Sequence, residues 1–275
     1  EVNRIDLATA ISSYVDAAIP DRKATESLDL QASWAYTPLC GVGGDTMERA
    51  CSRAGITAPT RVESQFEPNG LFPGLPFPNP EEPGAMNEAY SVADEAGIDL
   101  VVANDPDADR LAVAMKTVDG WRQLSGDEVG LLLCDHQLSN TTGDNRLTAS
   151  SVVSSQAVAA LCARRGVEHI RTLTGFKWIM EPAVKKPEAR WIFGYEEALG
   201  YSVNDHVLDK DGIAAAVTFM EMVASLRSKG LDPLTRLDEL AFEIGLYVTS
   251  QVSARFEPQQ IESCLEALRS APPQD

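Results

Sequence analysis

Apolar residues along this chain fall into two kinds of stretch, short unbroken runs and longer segments with helical spacing, and the two kinds alternate. Leu100-Val101-Val102-Ala103 and Leu111-Ala112-Val113-Ala114-Met115 are continuous runs bounded by polar residues, and each predicts a short buried strand. Upstream, Ile5, Leu7, Tyr14 and Val15 give residues 5–18 a roughly helical spacing, and Pro20 closes the segment. Residues 28–36 are strand-like. They lead through Thr37-Pro38-Leu39-Cys40-Gly41-Val42-Gly43-Gly44-Asp45, a glycine-rich turn, into a helix expected to end near Gly55. Another helix is expected over 87–96 with Gly97 as its cap, just before the strand that ends at Ala103. Such alternation predicts an α/β unit with a mainly parallel sheet.

The pattern then repeats. Gly120-Trp121 reads as a turn, and Leu124-Ser125-Gly126-Asp127-Glu128 opens a helix to about 138. Past a surface loop at 139–146, strands are expected at 147–153, 168–173 and 190–193, and helices at 154–165, 175–183 and 211–228. A long loop is expected over 194–209. Helix 233–242, strand 246–255 and helix 258–269 follow, and Ala271-Pro272-Pro273 reads as a linker. The fold class is therefore α/β, with two consecutive α/β domains of mixed, mainly parallel sheets flanked by helices, divided near residue 124. One segment fits neither kind of stretch: six of the sixteen prolines lie within 66–84, which makes that loop stiff, extended and too long for a plain connector.

Composition narrows the function classes. The length of 275 residues suits one large domain or two ordinary ones, and 44% hydrophobic with 23% charged residues is a soluble globular composition. A net charge of -18 leaves no basic field to draw in nucleic acid, although locally concentrated basic groups can still bind a small phosphate ester. Cys40, Cys51, Cys134, Cys162 and Cys264 are scattered and odd in number without CxxC spacing, as expected of small apolar residues in a reducing cytoplasm. No run approaches a membrane span and no signal peptide is recognised, so no membrane partner is expected. The chain starts at Glu1 without Met, which reads as a fragment or a trimmed chain.

The chemistry concentrates between the two apolar runs, in Asn104-Asp105-Pro106-Asp107-Ala108-Asp109-Arg110. Three carboxylates at alternating positions of a tight loop repel one another by an amount on the order of a few kcal/mol when partly buried. A hard divalent cation such as Mg²⁺ would relieve that repulsion. The alternative is an acidic solvated turn. An EF-hand is excluded: counted from Asp105, the sixth residue is Arg110 and not Gly, the twelfth is Lys116 and not Glu, and the flanks are strands. Loops at the carboxyl ends of strands are where ligands gather in α/β sheets, which favours a functional reading.

Three other loops carry weaker signals. The 37–45 turn could present N–H groups to a phosphate, but no Gly-Lys-Ser/Thr follows, and ordinary strand-to-helix turn chemistry is the stronger reading. Thr174-Gly175-Phe176-Lys177-Trp178 at a strand-to-helix junction would suit a phosphate or sugar oxygen, or else be an N-cap Thr with a solvated Lys. Gly194-Tyr195-Glu196-Glu197-Ala198-Leu199-Gly200-Tyr201 puts adjacent glutamates just after a buried strand, where they could accept from sugar hydroxyls or simply face solvent. Near it, His206 and Lys210 are candidates for proton transfer.

In this order, the stretches 36–43, 79–83 (Asn-Pro-Glu-Glu-Pro), 104–110, 174–178 and 194–201 with Asp209-Lys210-Asp211-Gly212 resemble the α-D-phosphohexomutase family of phosphoglucomutases and phosphomannomutases. The form of the 194–201 loop is most similar to the phosphopentomutase-like branch. The resemblance implies the middle two of four domains: a metal-binding domain at 1–124, a sugar-recognition domain at 125–246 and a connector at 247–275. By the same resemblance, Asp105, Asp107 and Asp109 hold Mg²⁺, Arg110 lies beside the transferring phosphate, and Glu196 and Glu197 accept from sugar hydroxyls. Thr174, Gly175, Lys177, Ala198, His206 and Lys210 face the substrate, with Lys210 and Arg110 as the catalytic pair. Ala198 stands where many members have Ser, and Cys40 where His is common.

The implied reaction moves a phosphoryl group between C1 and C6 of a hexose phosphate, or between the matching carbons of a pentose phosphate. It does so through a phosphoserine and a sugar 1,6-bisphosphate that acts as intermediate and activator. Neither a Ser-His-Asn-Pro loop nor an Arg-Ser-Gly-Thr loop occurs in the sequence, so the expectation is a piece that is inactive alone. A non-catalytic sugar-phosphate and Mg²⁺-binding module is the alternative. A haloacid dehalogenase-like phosphatase fits less well, because Arg110-Leu111 breaks its Asp-x-Asp-Gly-Thr/Val pattern.

Overall fold

The computed structural model describes residues 5–19, 32–250 and 256–272. Two sheets organise them. The first contains β1 (Ala35–Thr37), β2 (Thr60–Arg61), β3 (Leu100–Ala103), β4 (Ala112–Thr117) and β5 (Gly120–Gln123), in the spatial order β2-β1-β3-β4-β5. β1 pairs in parallel with β2 and β3, whereas β3–β4 and β4–β5 are antiparallel. Every residue of β1 and β3 is buried, which is why both sit in continuous apolar stretches without alternation. The aspartate loop joins two central, antiparallel neighbours, with Ala103 facing Ala112 in register.

The second sheet has the order β7-β6-β8-β9, from β6 (Arg146–Ser151), β7 (Glu168–Thr172), β8 (Arg190–Glu196) and β9 (Gly200–Ser202). β6 pairs in parallel with β7 and β8, and β9 returns antiparallel to β8. The expected long loop at 194–209 is therefore partly strand. Tyr195 pairs with Tyr201 and Glu196 with Gly200, so the two glutamates lie at the tip of a hairpin.

Helices α1 (Leu7–Ala18), α2 (Gly43–Ala54), α3 (Glu63–Phe66) and α4 (Asn87–Ala96) belong with the first sheet, and α5 (Gly126–Asn140), α6 (Ala157–Arg164) and α7 (Phe176–Lys185) with the second. Their ends follow local rules. Gly55 and Gly97 close α2 and α4 at φ 72° and 66°, and Ser125 with Glu128 forms a capping box on α5. The helix that joins the halves is α8 (Gly212–Arg227), buried along nearly its whole length and packed on α2, α5 and β9. One apolar cluster consequently runs from Trp34 and Met47 through Phe219 to Phe193 and Tyr195. Helix α9 (Pro233–Ile244) packs against α5 and α6, while α10 (Pro258–Ser270) has no buried residue.

Two further expectations need correction. Residues 246–250 form no strand, and the rest of the expected strand, 251–255, lies outside the described residues, as do 28–31 and Pro20. The turn expected at Gly120-Trp121 falls at 118–119, and those two residues begin β5. Pairing decides both outcomes: Gly120 and Trp121 pair with Thr117 and Lys116, whereas 246–250 pair with no strand among the described residues.

Candidate functional site

The aspartate loop is held from below by the glycine-rich turn. Val42 N–H donates to Pro106 O (2.8 Å), Cys40 N–H to Gln65 O (2.8 Å) and Gly41 N–H to Pro38 O (2.8 Å). A Cβ on Gly41 would lie 2.3 Å from Pro106 Cα, so the glycine is required by close backbone approach. With these three N–H groups occupied, the turn acts here as a buttress for the loop, in keeping with the turn-chemistry reading of the sequence. Within the loop, Arg110 N–H donates to Asp105 Oδ1 (3.0 Å), and Ala108 takes a left-handed conformation at φ 60°.

This geometry brings one carboxylate oxygen from each of Asp105, Asp107 and Asp109 within 4.8 Å of one another. Asp105 is buried, Asp109 half-buried and Asp107 exposed. Burial, reinforced by Asp109 and Asp107, pushes the Asp105 carboxyl up to about 6 against the opposing pull of the Arg110 N–H and guanidinium. Arg110 Nε lies 3.5 Å from Asp105 Oδ2 and 3.9 Å from Asp109 Oδ1. An all-carboxylate donor set, one ligand pinned by a backbone N–H and one open to solvent, fits a hard divalent cation with open coordination positions.

Lys210 ties this loop to the second sheet. Its Nζ lies 2.9 Å from Asp109 Oδ2 and 3.1 Å from Asp209 Oδ1, and 5.4 Å from the Phe176 ring at the start of α7. Its stem runs over Gly200, where a Cβ would meet Lys210 Cδ at 2.5 Å. Backbone contacts make the same junction: Leu111 N–H donates to Leu199 O (3.0 Å), and Arg110 bridges Gly200. Glu196 is half-buried, and its carboxyl is raised by burial despite the lowering influence of Lys210 and Arg110. Asp105, Asp109, Arg110, Glu196 and Lys210 thus form one charged cluster, although the loops that carry them are about ninety residues apart in sequence.

Glu197 is anchored differently. Its Oε2 accepts from Ser151 Oγ and Ser154 Oγ, each at 3.0 Å, while its N–H donates to Ser154 Oγ (3.1 Å). These serines are not among the sequence candidates; Ser151 ends β6 and Ser154 lies in the turn after it, and only the pairing of β6 with β8 brings them to Glu197. Glu81, from the proline-rich loop, also belongs here: it lines a cavity of about 600 Å³ with Ser125, Asp127 and Glu197, and burial raises its carboxyl. Thr174 and Lys177 are exposed and Gly175 half-buried. Their link to the cluster runs through Phe176, and Lys177 lies over the Trp178 ring at 5.4 Å. Ala198 is half-buried at the hairpin tip. His206 is exposed, with its N–H donating to Asn204 Oδ1 (3.0 Å), and no contact draws it to the cluster.

The carboxylate loop and the hairpin glutamate, brought together around a lysine, give this two-domain α/β protein an acidic cluster that could chelate a divalent metal. Comparison with known proteins agrees. Residues 12–120 match the family described as phosphoglucomutase/phosphomannomutase, alpha/beta/alpha domain II, and residues 125–240 match domain III of the same family. The chain belongs to this family, the α-D-phosphohexomutases, and carries its two middle domains. It is 40% identical over 244 residues to a probable phosphomannomutase of Haemophilus influenzae, covering 88% of this chain and 49% of that protein. It is 37% identical over 254 residues to a probable phosphoribomutase of Schizosaccharomyces pombe, covering 88% and 43%. The chain thus spans about half the length of the curated relatives it matches. A solved structure of a putative phosphomannomutase from Thermus thermophilus superposes with a TM-score of 0.70 at 24% identity, over 90% of this chain and 53% of that one, a likeness of fold.

Proposed function

We propose that this chain is the cation-binding and sugar-recognition portion of a phosphosugar mutase, an isomerase that acts by intramolecular phosphoryl transfer on a hexose or pentose phosphate. The observation that carries the reading is Lys210, whose ammonium contacts Asp109 of the aspartate loop while its stem packs on the hairpin that bears Glu196. In this reading residues 1–124 and 125–246 are the two functional units, 247–275 is a connector, and the phosphoryl-donating serine is supplied from outside them.

Asp105, Asp107 and Asp109 would hold Mg²⁺, which when bound supplies positive charge to the oxygens of the transferring phosphoryl group. The chain's own groups perform the rest. Arg110 and Lys210 balance part of the phosphate charge from either side of Asp109. Glu196 and Glu197 accept hydrogen bonds from sugar hydroxyls, with Ser151 and Ser154 fixing the Glu197 carboxylate so that little ordering entropy remains to be lost on binding. Thr174, Gly175 and Lys177 flank the entrance. Ala198 offers no hydroxyl to the sugar, and His206 reaches it only if the 204–210 loop moves.

Calorimetric titration with Mg²⁺ tests the cation assignment. Asp107→Ala is expected to weaken binding at least about tenfold while leaving the melting temperature unchanged, because Asp107 is exposed. Unchanged affinity in Asp107→Ala refutes the assignment. Because the chain covers about half of its relatives, a binding module without turnover is the second reading. A coupled assay with glucose 1-phosphate and the bisphosphate activator is expected to show no conversion by this polypeptide alone, and robust conversion would overturn the assignment of the donor serine elsewhere.

A further inference from the structure

We infer that Asn104 and Tyr36 are positioning residues that set the cation preference of the aspartate loop, an inference that rests on the cation reading proposed above. Neither side chain hydrogen-bonds a carboxylate directly. Both are fully buried, and they begin a polar chain that ends on one. Tyr36 O–H donates to Asn104 Oδ1 (2.8 Å), Asn104 Nδ2 donates to Arg110 O (2.5 Å), and Arg110 N–H donates to Asp105 Oδ1 (3.0 Å). The Asn104 side chain therefore joins the first residue of the loop to the last. Its backbone N–H is fixed as well, donating to Thr37 O at 3.1 Å.

The space around this chain is closed on two sides by glycines. A Cβ on Gly43 would lie 2.9 Å from both Tyr36 Oη and Ala108 Cβ, and one on Gly212 would lie 2.2 Å from Arg110 O and 2.7 Å from Asn104 Nδ2. The starts of α2 and α8 thus confine the amide. Because both side chains are fully buried, leaving any member of the network unpaired is costly. The consequence for the loop is a fixed aperture. Carboxylates held at a set separation favour a small cation with strict geometry over a larger one that tolerates irregular coordination, so Mg²⁺ gains over Ca²⁺. Outer-shell partners of this kind typically contribute about ten- to a hundredfold in metal affinity.

Tyr36→Phe removes only the hydroxyl and keeps the edge contacts with Trp34 and Phe66. Calorimetric titrations of the whole chain with Mg²⁺ and with Ca²⁺ would compare it with wild type, and Asn104→Ala is the stronger variant where it folds. We expect Tyr36→Phe to lose about tenfold in Mg²⁺ affinity and to change little toward Ca²⁺, which lowers the Mg²⁺-to-Ca²⁺ affinity ratio. A purely structural role would lower the melting temperature and leave that ratio alone. An unchanged ratio in Tyr36→Phe overturns the inference while the cation site stands. A wild-type chain that gives no Mg²⁺ binding up to millimolar concentration overturns the cation reading and this inference with it.

Discussion

Gly126→Ala sets helix propensity against packing. Gly126 is the first residue of α5, and alanine there would be favoured by propensity alone, by up to about 1 kcal/mol. Packing opposes it. An added Cβ would lie 1.8 Å from Glu197 O, 2.6 Å from Glu197 C and 3.2 Å from Glu197 Cα. The obstacle is backbone, so no side-chain rotation relieves it. Restoring ordinary contact requires α5 and the hairpin tip to separate by about 1.5 Å, a large displacement for a close-packed interior. That movement pulls Glu197 away from Ser151 and Ser154 and strains the bond from Tyr201 O–H to Gly126 O (3.1 Å). Overpacking typically costs about 1–3 kcal/mol, and a strained buried hydrogen bond about 1 kcal/mol more, so after the propensity gain packing wins by roughly 1–3 kcal/mol. For a chain of this size that lowers the melting temperature by about 2–12 °C. Differential scanning calorimetry of Gly126→Ala beside Gly70→Ala reads the effect directly, since a Cβ on Gly70 meets nothing within 4 Å. Gly126→Ala melting within about 1 °C of wild type would falsify the packing argument, because that is the behaviour of a surface substitution.

Other expectations follow from the charges away from the site. Asp135 accepts from Arg236 Nε (2.9 Å) and Nη2 (3.0 Å), with Arg165 at 3.4 Å, where α5 meets α9. Asp135→Ala removes the two-pronged acceptor of Arg236 while Glu239 and Glu243 still face the two guanidiniums, and urea unfolding should give a loss of about 2 kcal/mol, that of hydrogen bonds to a charged group. The Asp94 carboxyl is held below its usual 3.8 by the Lys116 ammonium and the Trp121 indole N–H. Its folded pKa is depressed, so the small stabilisation it gives is present above the ordinary carboxylate range and is lost as pH falls through the folded value. Lys116→Met should move the Asp94 midpoint up in a carboxyl NMR titration, and an unmoved midpoint would rule out Lys116 as the cause.

How much could be read from the sequence differs by element. The strands around the aspartate loop were legible because both faces of β3 are buried and no alternation blurs its apolar run. Helix α4 was legible because Gly97 ends it by a local rule. The two-residue strand β2 was not, since Thr60-Arg61 carries almost no periodicity and exists only by pairing with β1. The sequence shows the first part of β8 at 190–193 but not its end or β9, for a related reason: Gly200-Tyr201-Ser202 is strand only where Gly194, Tyr195 and Glu196 face it.

For the candidate site, the sequence by itself determined the chemistry: three alternating carboxylates with an arginine, two adjacent glutamates after a buried strand, and a lysine among aspartates. Those residue types set which charges and donors are available, and no fold can alter that. Only the tertiary structure decided which of them meet. It joined Lys210 to Asp109, turned Glu197 onto Ser151 and Ser154, drew Glu81 in from the proline-rich loop and left His206 at the surface. It also put Tyr36 and Asn104 beneath the aspartate loop, sixty-eight residues apart in sequence yet in hydrogen-bond contact. The physical reason is range. Charge and periodicity are local properties of a chain, whereas a buried hydrogen bond between distant loops exists only after sheets and helices have packed and water has been excluded.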